Sequence, residues 1–186
     1  MLFMYIMTIN NSGGFLMKRQ IITAALIFNA LALPLANASA QDVKPTTPEK
    51  GDISLVISGL SHHFGQRSYW DENGQNRKWN EVNFGGGIEY QLSKHFYATA
   101  GGYKNSIHKA SFYAGAGVET DGSRKFGAGV EAGLITGYEI PVVPSLIPYF
   151  RIGSRNAPLN LKLNLIPPIK GLTPAVVAVQ ARFKIG

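Results

Sequence analysis

From residue 52 onward the chain alternates, and that alternation limits its fold more than any other feature. In Leu159-Asn160-Leu161-Lys162-Leu163-Asn164-Leu165 one face is all leucine and the other is polar. From Ala175 to Ile185, Val177, Val179, Ala181, Phe183 and Ile185 share a face opposite Gln180, Arg182 and Lys184. A period of two is the signature of a β-strand, whose successive side chains point to opposite sides. Val82–Tyr90, Phe112–Val118 and Phe126–Leu134 repeat the pattern, with glycine and glutamate opposite the apolar face. Weaker segments at Ile53–Leu60, Phe96–Lys104 and Leu146–Ile152 bring the number of strands to eight. No stretch supports an amphipathic helix. Gly-Ala-Gly-Val-Glu occurs at 115–119 and again at 127–131, across Asp121-Gly122-Ser123, and reads as the two arms of a hairpin.

Eight strands of roughly ten residues match what tilted strands need to cross a bilayer. A soluble sandwich or lipid-binding barrel would alternate in the same way with its apolar face inward. Glycine and mixed charge on the polar faces suit a narrow lumen better than an open solvent face. The expected fold is therefore all-β, an eight-stranded antiparallel up-and-down transmembrane β-barrel over 52–186. Before it, Met17-Lys18-Arg19, the apolar run Ile21–Leu35 and Ala38-Ser39-Ala40 have the form of a cleavable signal peptide, so 1–40 is expected to be removed, with Met17 as the functional start. The apolar run is shorter than the roughly 20 residues of a spanning helix. Residues 41–51, polar and proline-containing, form a short periplasmic lead-in. Together these features predict the outer membrane of a Gram-negative bacterium and a monomeric barrel.

The chain has no cysteine, which excludes thiol catalysis, thiolate metal sites and disulfides. With 18 Lys and Arg against 11 Asp and Glu the formal charge is +7, and removal of Lys18 and Arg19 leaves +5. The basic residues are scattered rather than striped, so nucleic acid is not an expected partner. No cofactor and no metal are expected, since the His62-His63 pair has no carboxylate at ligand spacing.

A periplasmic N-terminus and eight strands place Ser61–Asn80, Asn105–Lys109, Tyr138–Pro144 and Pro167–Leu172 at the outer rim. His62, His63, Asn105, Ser106 and His108 then share one end of the barrel. Extending the alternation of Ile53, Leu55 and Ile57 turns His62 inward, whereas a bulge would select His63. The same bookkeeping puts Glu89, Glu119, Arg182 and Lys184 low in the lumen and Glu131 and Lys162 near its middle, where opposite charges must pair. The upper lumen keeps Gly85, Gly87, Tyr113, Gly115 and Gly133. Tyr69, Trp70, Trp79 and Tyr138 suit an interfacial aromatic girdle.

Asn80-Glu81, Gly85-Gly86-Gly87, Lys104-Asn105-Ser106 and Ala114-Gly115-Ala116-Gly117-Val118-Glu119 occur in an order that resembles the lipid A palmitoyltransferase (PagP) family. The likeness continues through Ile140-Pro141, Leu146-Ile147-Pro148, Pro158, Ile166-Pro167 and Gln180-Ala181-Arg182-Phe183, and covers most of the chain from about residue 80. The resemblance implies an eight-stranded outer-membrane barrel that moves an acyl chain from a phospholipid donor to lipid A, with a His, an Asp and a Ser at the rim. On that basis Ser106 is the serine, Asn105 stands where the family has its aspartate, and the histidine is His62 or His63. Gly117 would set the acyl-chain floor, and Pro148 and Pro158 would flank lateral lipid access. Because Asn105 is uncharged, Glu81 is a candidate partner for the histidine. His108 is a secondary candidate base. A non-catalytic barrel and a lipid A deacylase-type hydrolase are the alternatives, although Ser106-Ile107-His108 reverses the usual order of the latter.

Overall fold

A computed structural model describes residues 48–168 and 174–185. The expected signal peptide and residues 41–47 of the lead-in lie outside the described residues. In chain order the strands are β1 (Ile53–Phe64), β2 (Ser68–Trp70), β3 (Asn76–Lys78), β4 (Val82–Gln91), β5 (Phe96–Lys104), β6 (Ala110–Glu119), β7 (Phe126–Thr136), β8 (Val142–Ile152), β9 (Leu159–Ile166) and β10 (Ala175–Lys184). Eight of them close a barrel in the order β1-β10-β9-β8-β7-β6-β5-β4, every neighbour antiparallel. The expected fold is the observed one. β2 and β3 form a separate hairpin inside the first long loop, in addition to the eight expected strands. The repeated Gly-Ala-Gly-Val-Glu segments lie on β6 and β7, where Gly117 faces Glu131 and Glu119 faces Gly129.

The burial pattern is that of a soluble protein turned inside out. Phe84, Ile88, Phe96, Phe112, Phe126 and Leu146 are exposed on the outer wall, while Glu89, Glu119, Arg151, Arg155, Lys162 and Arg182 are buried. A barrel dissolved in water would bury the first set and expose the second; hydrocarbon solvent demands the arrangement seen. Inside, the ions neutralise one another. Glu89 meets Arg155 at 2.6 Å, Arg182 at 2.7 Å and Lys162 at 3.0 Å. Glu119 meets Arg151 at 2.8 Å and Arg155 at 3.1 Å, and Lys162 also contacts Glu131. Lys184 pairs instead with Asp52 at the short-turn end. Arg151 and Arg155 were not foreseen. Arg155 projects from the β8–β9 turn, where strand parity says nothing, and its guanidinium lies 4.0 Å from the Tyr97 ring centre.

Inward-facing glycines make room for rings on the next strand. A methyl group on Gly117 would overlap the Tyr97 ring, and one on Gly129 would overlap Tyr149. The Tyr97 hydroxyl lies 2.8 Å from Glu131 Oε1 and 2.9 Å from the Tyr149 hydroxyl. A layer of tyrosines and ions therefore closes the lower lumen. Gly117, assigned as the floor by resemblance, is covered by the Tyr97 ring, which is itself fully buried.

Two irregularities shape the other end. β1 shifts register against both neighbours between Ser58 and Leu60: against β10 Gly59 is the extra residue, and against β4 the extra residue falls on β4. And β8 pairs with β7 along its whole length, from Thr136↔Val142 to Phe126↔Ile152, but with β9 only from Tyr149 to Ile152. Gly153 donates to Lys125 on the β7 side. Alternation from there turns the nitrogens of Pro148 and Pro144 toward β9. The missing N–H groups thus fall on the side where the ladder stops, while the β7 ladder runs past both prolines unbroken. The upper part of the β8–β9 seam is open. Pro158 is not part of it: it sits in the β8–β9 turn at the opposite end, where its carbonyl accepts a bond from Lys184 N–H at 3.2 Å.

Candidate functional site

The bulge at Gly59 decides which histidine faces the lumen. Below it Ser54, Val56 and Ser58 are buried; above it the buried residue is His63, while His62 is exposed. The unbroken alternation that turned His62 inward is therefore corrected by one extra residue. His63 has a side chain only 3% exposed, against 46% for His62.

His63 Nε2 lies 3.0 Å from Ser106 Oγ. On the other side of the ring, Nδ1 lies 3.7 Å from Glu81 Oε1, beyond hydrogen-bond length, and the same oxygen accepts the backbone N–H of His63 at 3.1 Å. His62 Nδ1 also approaches Glu81 Oε1, at 3.1 Å. A carboxylate, an imidazole and a hydroxyl thus line up at the loop end of the barrel. With Nδ1 protonated toward Glu81, Nε2 is free to accept the Ser106 proton, the order that an activated serine needs. The Nδ1–carboxylate distance is long, as such contacts often are before substrate binds.

The ring is clamped as well as partnered. Trp79 stacks on His63 with centroids 4.7 Å apart and planes 3° from parallel, and Tyr69 stacks on the far face of the assembly against Trp79, also at 4.7 Å. Tyr69 O–H then donates to the Ile107 carbonyl at 3.3 Å, joining the β2–β3 hairpin to the serine loop. These two rings were assigned to a membrane girdle; they form the wall of the site instead. Tyr138 also departs from the girdle, its hydroxyl 3.4 Å from that of Tyr103. Trp70 is exposed.

Asn105, matched by the resemblance to an aspartate, does not address the histidine. It is fully buried and spends its amide on the backbone. Its Oδ1 accepts from Ile107 N–H at 3.1 Å and Lys109 N–H at 2.8 Å, and its Nδ2 donates to Ser111 Oγ at 3.0 Å and the Gly137 carbonyl at 2.7 Å. The turn it organises ends at His108, whose φ of 64° is the left-handed value a tight hairpin needs. His108 faces away from the serine, with Nε2 3.2 Å from the Lys78 carbonyl. Asn80 completes the frame: its backbone N–H donates to the Ser106 carbonyl at 2.8 Å and its Nδ2 to the Asn105 carbonyl at 3.0 Å. The Asn80-Glu81 and Asn105-Ser106 motifs are therefore bonded to each other.

Above the site the β2–β3 turn is fixed by Asp71, whose Oδ1 accepts from Asn73 and Gln75 and whose Oδ2 holds Arg77. Hydrogen bonding from the Gln75 N–H and from Arg77 holds its carboxyl below the usual carboxylate range. Among the described residues no group of three or more His, Cys, Asp or Glu could hold a metal ion.

The fold has solved counterparts. A de novo designed transmembrane β-barrel aligns with 75% of this chain and 100% of its own length at 16% identity and a TM-score of 0.53. The solution NMR structure of the de novo designed TMB2.3 aligns with 76% of this chain and 99% of its own, at 16% identity and a TM-score of 0.52. Both likenesses concern the barrel alone. No family model matches the chain, and no curated protein matches it.

Proposed function

We propose that this protein is an acyltransferase of the Gram-negative outer membrane that moves a phospholipid acyl chain, palmitoyl-like in length, onto lipid A. The observation that carries the reading is the 3.0 Å contact between His63 Nε2 and Ser106 Oγ at the rim, with Glu81 behind the ring. His63 takes the Ser106 proton as Oγ attacks the donor ester, and returns it to the departing lysophospholipid. It then takes the proton of a lipid A hydroxyl as that oxygen attacks the acyl-serine, and delivers that proton to the departing Ser106 Oγ, which regenerates the serine. Glu81 holds the ring and its charge. The open upper β8–β9 seam supports lateral access for an acyl chain. The family resemblance supports the choice of lipid A as acceptor, and the apolar outer wall supports a membrane location.

The test is an assay of the purified barrel in detergent with phospholipid carrying a labelled acyl chain, with and without lipid A. Labelled lipid A formed in step with lysophospholipid is expected. Labelled free fatty acid in place of labelled lipid A would assign a hydrolase, and loss of unlabelled acyl chains from lipid A a deacylase. A folded barrel that yields neither product is a non-catalytic scaffold.

A further inference from the structure

Acyl transfer through Ser106 needs more than a base. As Ser106 Oγ bonds to the donor carbonyl carbon, the π pair of the carbonyl moves onto its oxygen, and that oxyanion needs a hydrogen-bond donor aimed at it. The polar side chains that frame the pair are already spent. The Asn105 amide donates to Ser111 and the Gly137 carbonyl, the Asn80 amide to the Val82 and Asn105 carbonyls, and the Tyr69 hydroxyl to the Ile107 carbonyl. In the serine loop, the Ile107 and Lys109 N–H groups go to Asn105 Oδ1 and that of His108 to the Asn105 carbonyl.

Trp79 is different. It lies in the link between β3 and β4, and its indole Nε1 is sealed from solvent without a hydrogen-bond partner among the described residues. A buried donor left unpaired is uncommon in a folded protein and calls for a reason. Trp79 is tied to both halves of the pair. Its indole lies face to face with the His63 ring, at 4.7 Å and 3° from parallel, and that ring holds Nε2 3.0 Å from Ser106 Oγ. The next peptide along the chain, the Asn80 N–H, donates to the Ser106 carbonyl at 2.8 Å. Tyr69 stacks on the indole in turn and holds it in place. Stacking alone could be served by any aromatic ring; an indole brings an N–H as well.

We propose that Trp79 Nε1–H donates a hydrogen bond to the oxyanion formed when Ser106 attacks the donor ester, which makes Trp79 a catalytic residue. The bond lasts while the carbon is tetrahedral. When the carbonyl re-forms, the lysophospholipid oxygen leaves with the proton held on His63. The same N–H serves the second tetrahedral intermediate, after the acceptor oxygen has attacked the acyl-serine. The inference rests on the acyl-serine reading above, and it is tested without turnover.

The chain has two tryptophans, so a nitrogen-15 sample gives two indole N–H signals. The probe is a long-chain alkyl fluorophosphonate, added to the refolded barrel in micelles. Ser106 Oγ bonds to phosphorus, fluoride leaves, and the tetrahedral adduct sets a partly negative phosphoryl oxygen where the oxyanion would sit. The expected result is a downfield move of the Trp79 indole proton on labelling, while exposed Trp70 on β2 stays in place. A labelled barrel whose Trp79 signal does not move would overturn the inference and leave the acyl-serine reading intact; a folded barrel in which Ser106 takes no label would overturn both. In turnover, Trp79→Phe keeps a ring against His63 and removes the N–H. It should lower kcat about a hundredfold, the usual cost of one oxyanion donor, with KM and the pH profile unchanged. Parent-like kcat in Trp79→Phe would mean that the ring only stacks, and would contradict the proposal.

Discussion

At the scale of single residues the account separates two adjacent histidines by their side of the wall. His63→Ala is expected to lower acyl transfer by about a hundredfold or more, the usual contribution of a positioned general base. His62→Ala, which removes only an exposed ring near Glu81, should stay within a few-fold of the parent. Rates of the two variants in the labelled-donor assay check this, and equal losses would refute it. Asn105 makes a second, less obvious prediction. Asn105→Asp, which supplies the carboxylate that the resemblance would lead one to expect, replaces two donated hydrogen bonds, to Ser111 and Gly137, by a carboxylate facing a carbonyl. The expected effect is a loss of about 1–3 kcal/mol or more of stability, read as an earlier urea midpoint of the refolded barrel, with no gain in rate. The residue types at the site were legible in the sequence: both histidines, Asn105, Ser106 and Glu81 were candidates. What was not legible was Asn105's duty, since an amide that caps a hairpin and one that orients a histidine look alike without coordinates.

At the scale of elements, the strands were readable because each buries one face and offers the other to lipid. The errors fall where that pattern breaks. One glycine inserted in β1 reverses the parity of everything after it, and nothing in Ser58-Gly59-Leu60 distinguishes a bulged glycine from a paired one. The β2–β3 hairpin has strands of three residues, too short to show alternation, although Asp71-Glu72-Asn73-Gly74 carries clear turn chemistry. The β8–β9 seam was legible through Pro148, whose absent N–H stops a ladder, while Pro158 in a turn has no ladder to interrupt. The seam gives a prediction free of background thiols, because the chain has no cysteine. Continuing the register past Tyr149↔Asn164 sets 148 opposite 165. Pro148→Cys combined with Leu165→Cys should therefore lose acyl transfer when oxidised and regain it on reduction, and full activity of the crosslinked form would show that acyl chains do not enter there.

At the scale of the whole molecule the barrel is divided into a filled lower half and a glycine-lined upper half. The filling is ionic, and its cohesion depends on balance. Glu89 pairs with Arg155, Arg182 and Lys162 at once, sharing Arg155 with Glu119 and Lys162 with Glu131. Glu89→Gln leaves those cations short of a counter-charge in a buried place, and about 3–5 kcal/mol is the usual cost of removing one partner of a buried pair. Urea unfolding of the refolded protein in bilayers or micelles should show it, and an unchanged midpoint would mean that water, not Glu89, neutralises the cluster. The same arrangement divides the axis: the ion pairs of the base tie the strands together, and the proposed acyl transfer falls at the rim beside the loops.

The central claim, acyl transfer at that rim, is tested most directly by mass spectrometry of lipid A from a Gram-negative host without a palmitoyltransferase of its own, with and without this protein. The account predicts a lipid A species heavier by one acyl chain, absent when Ser106→Ala or His63→Ala is expressed and present with His62→Ala. An unchanged or lighter lipid A in cells that carry the correctly inserted barrel would contradict it.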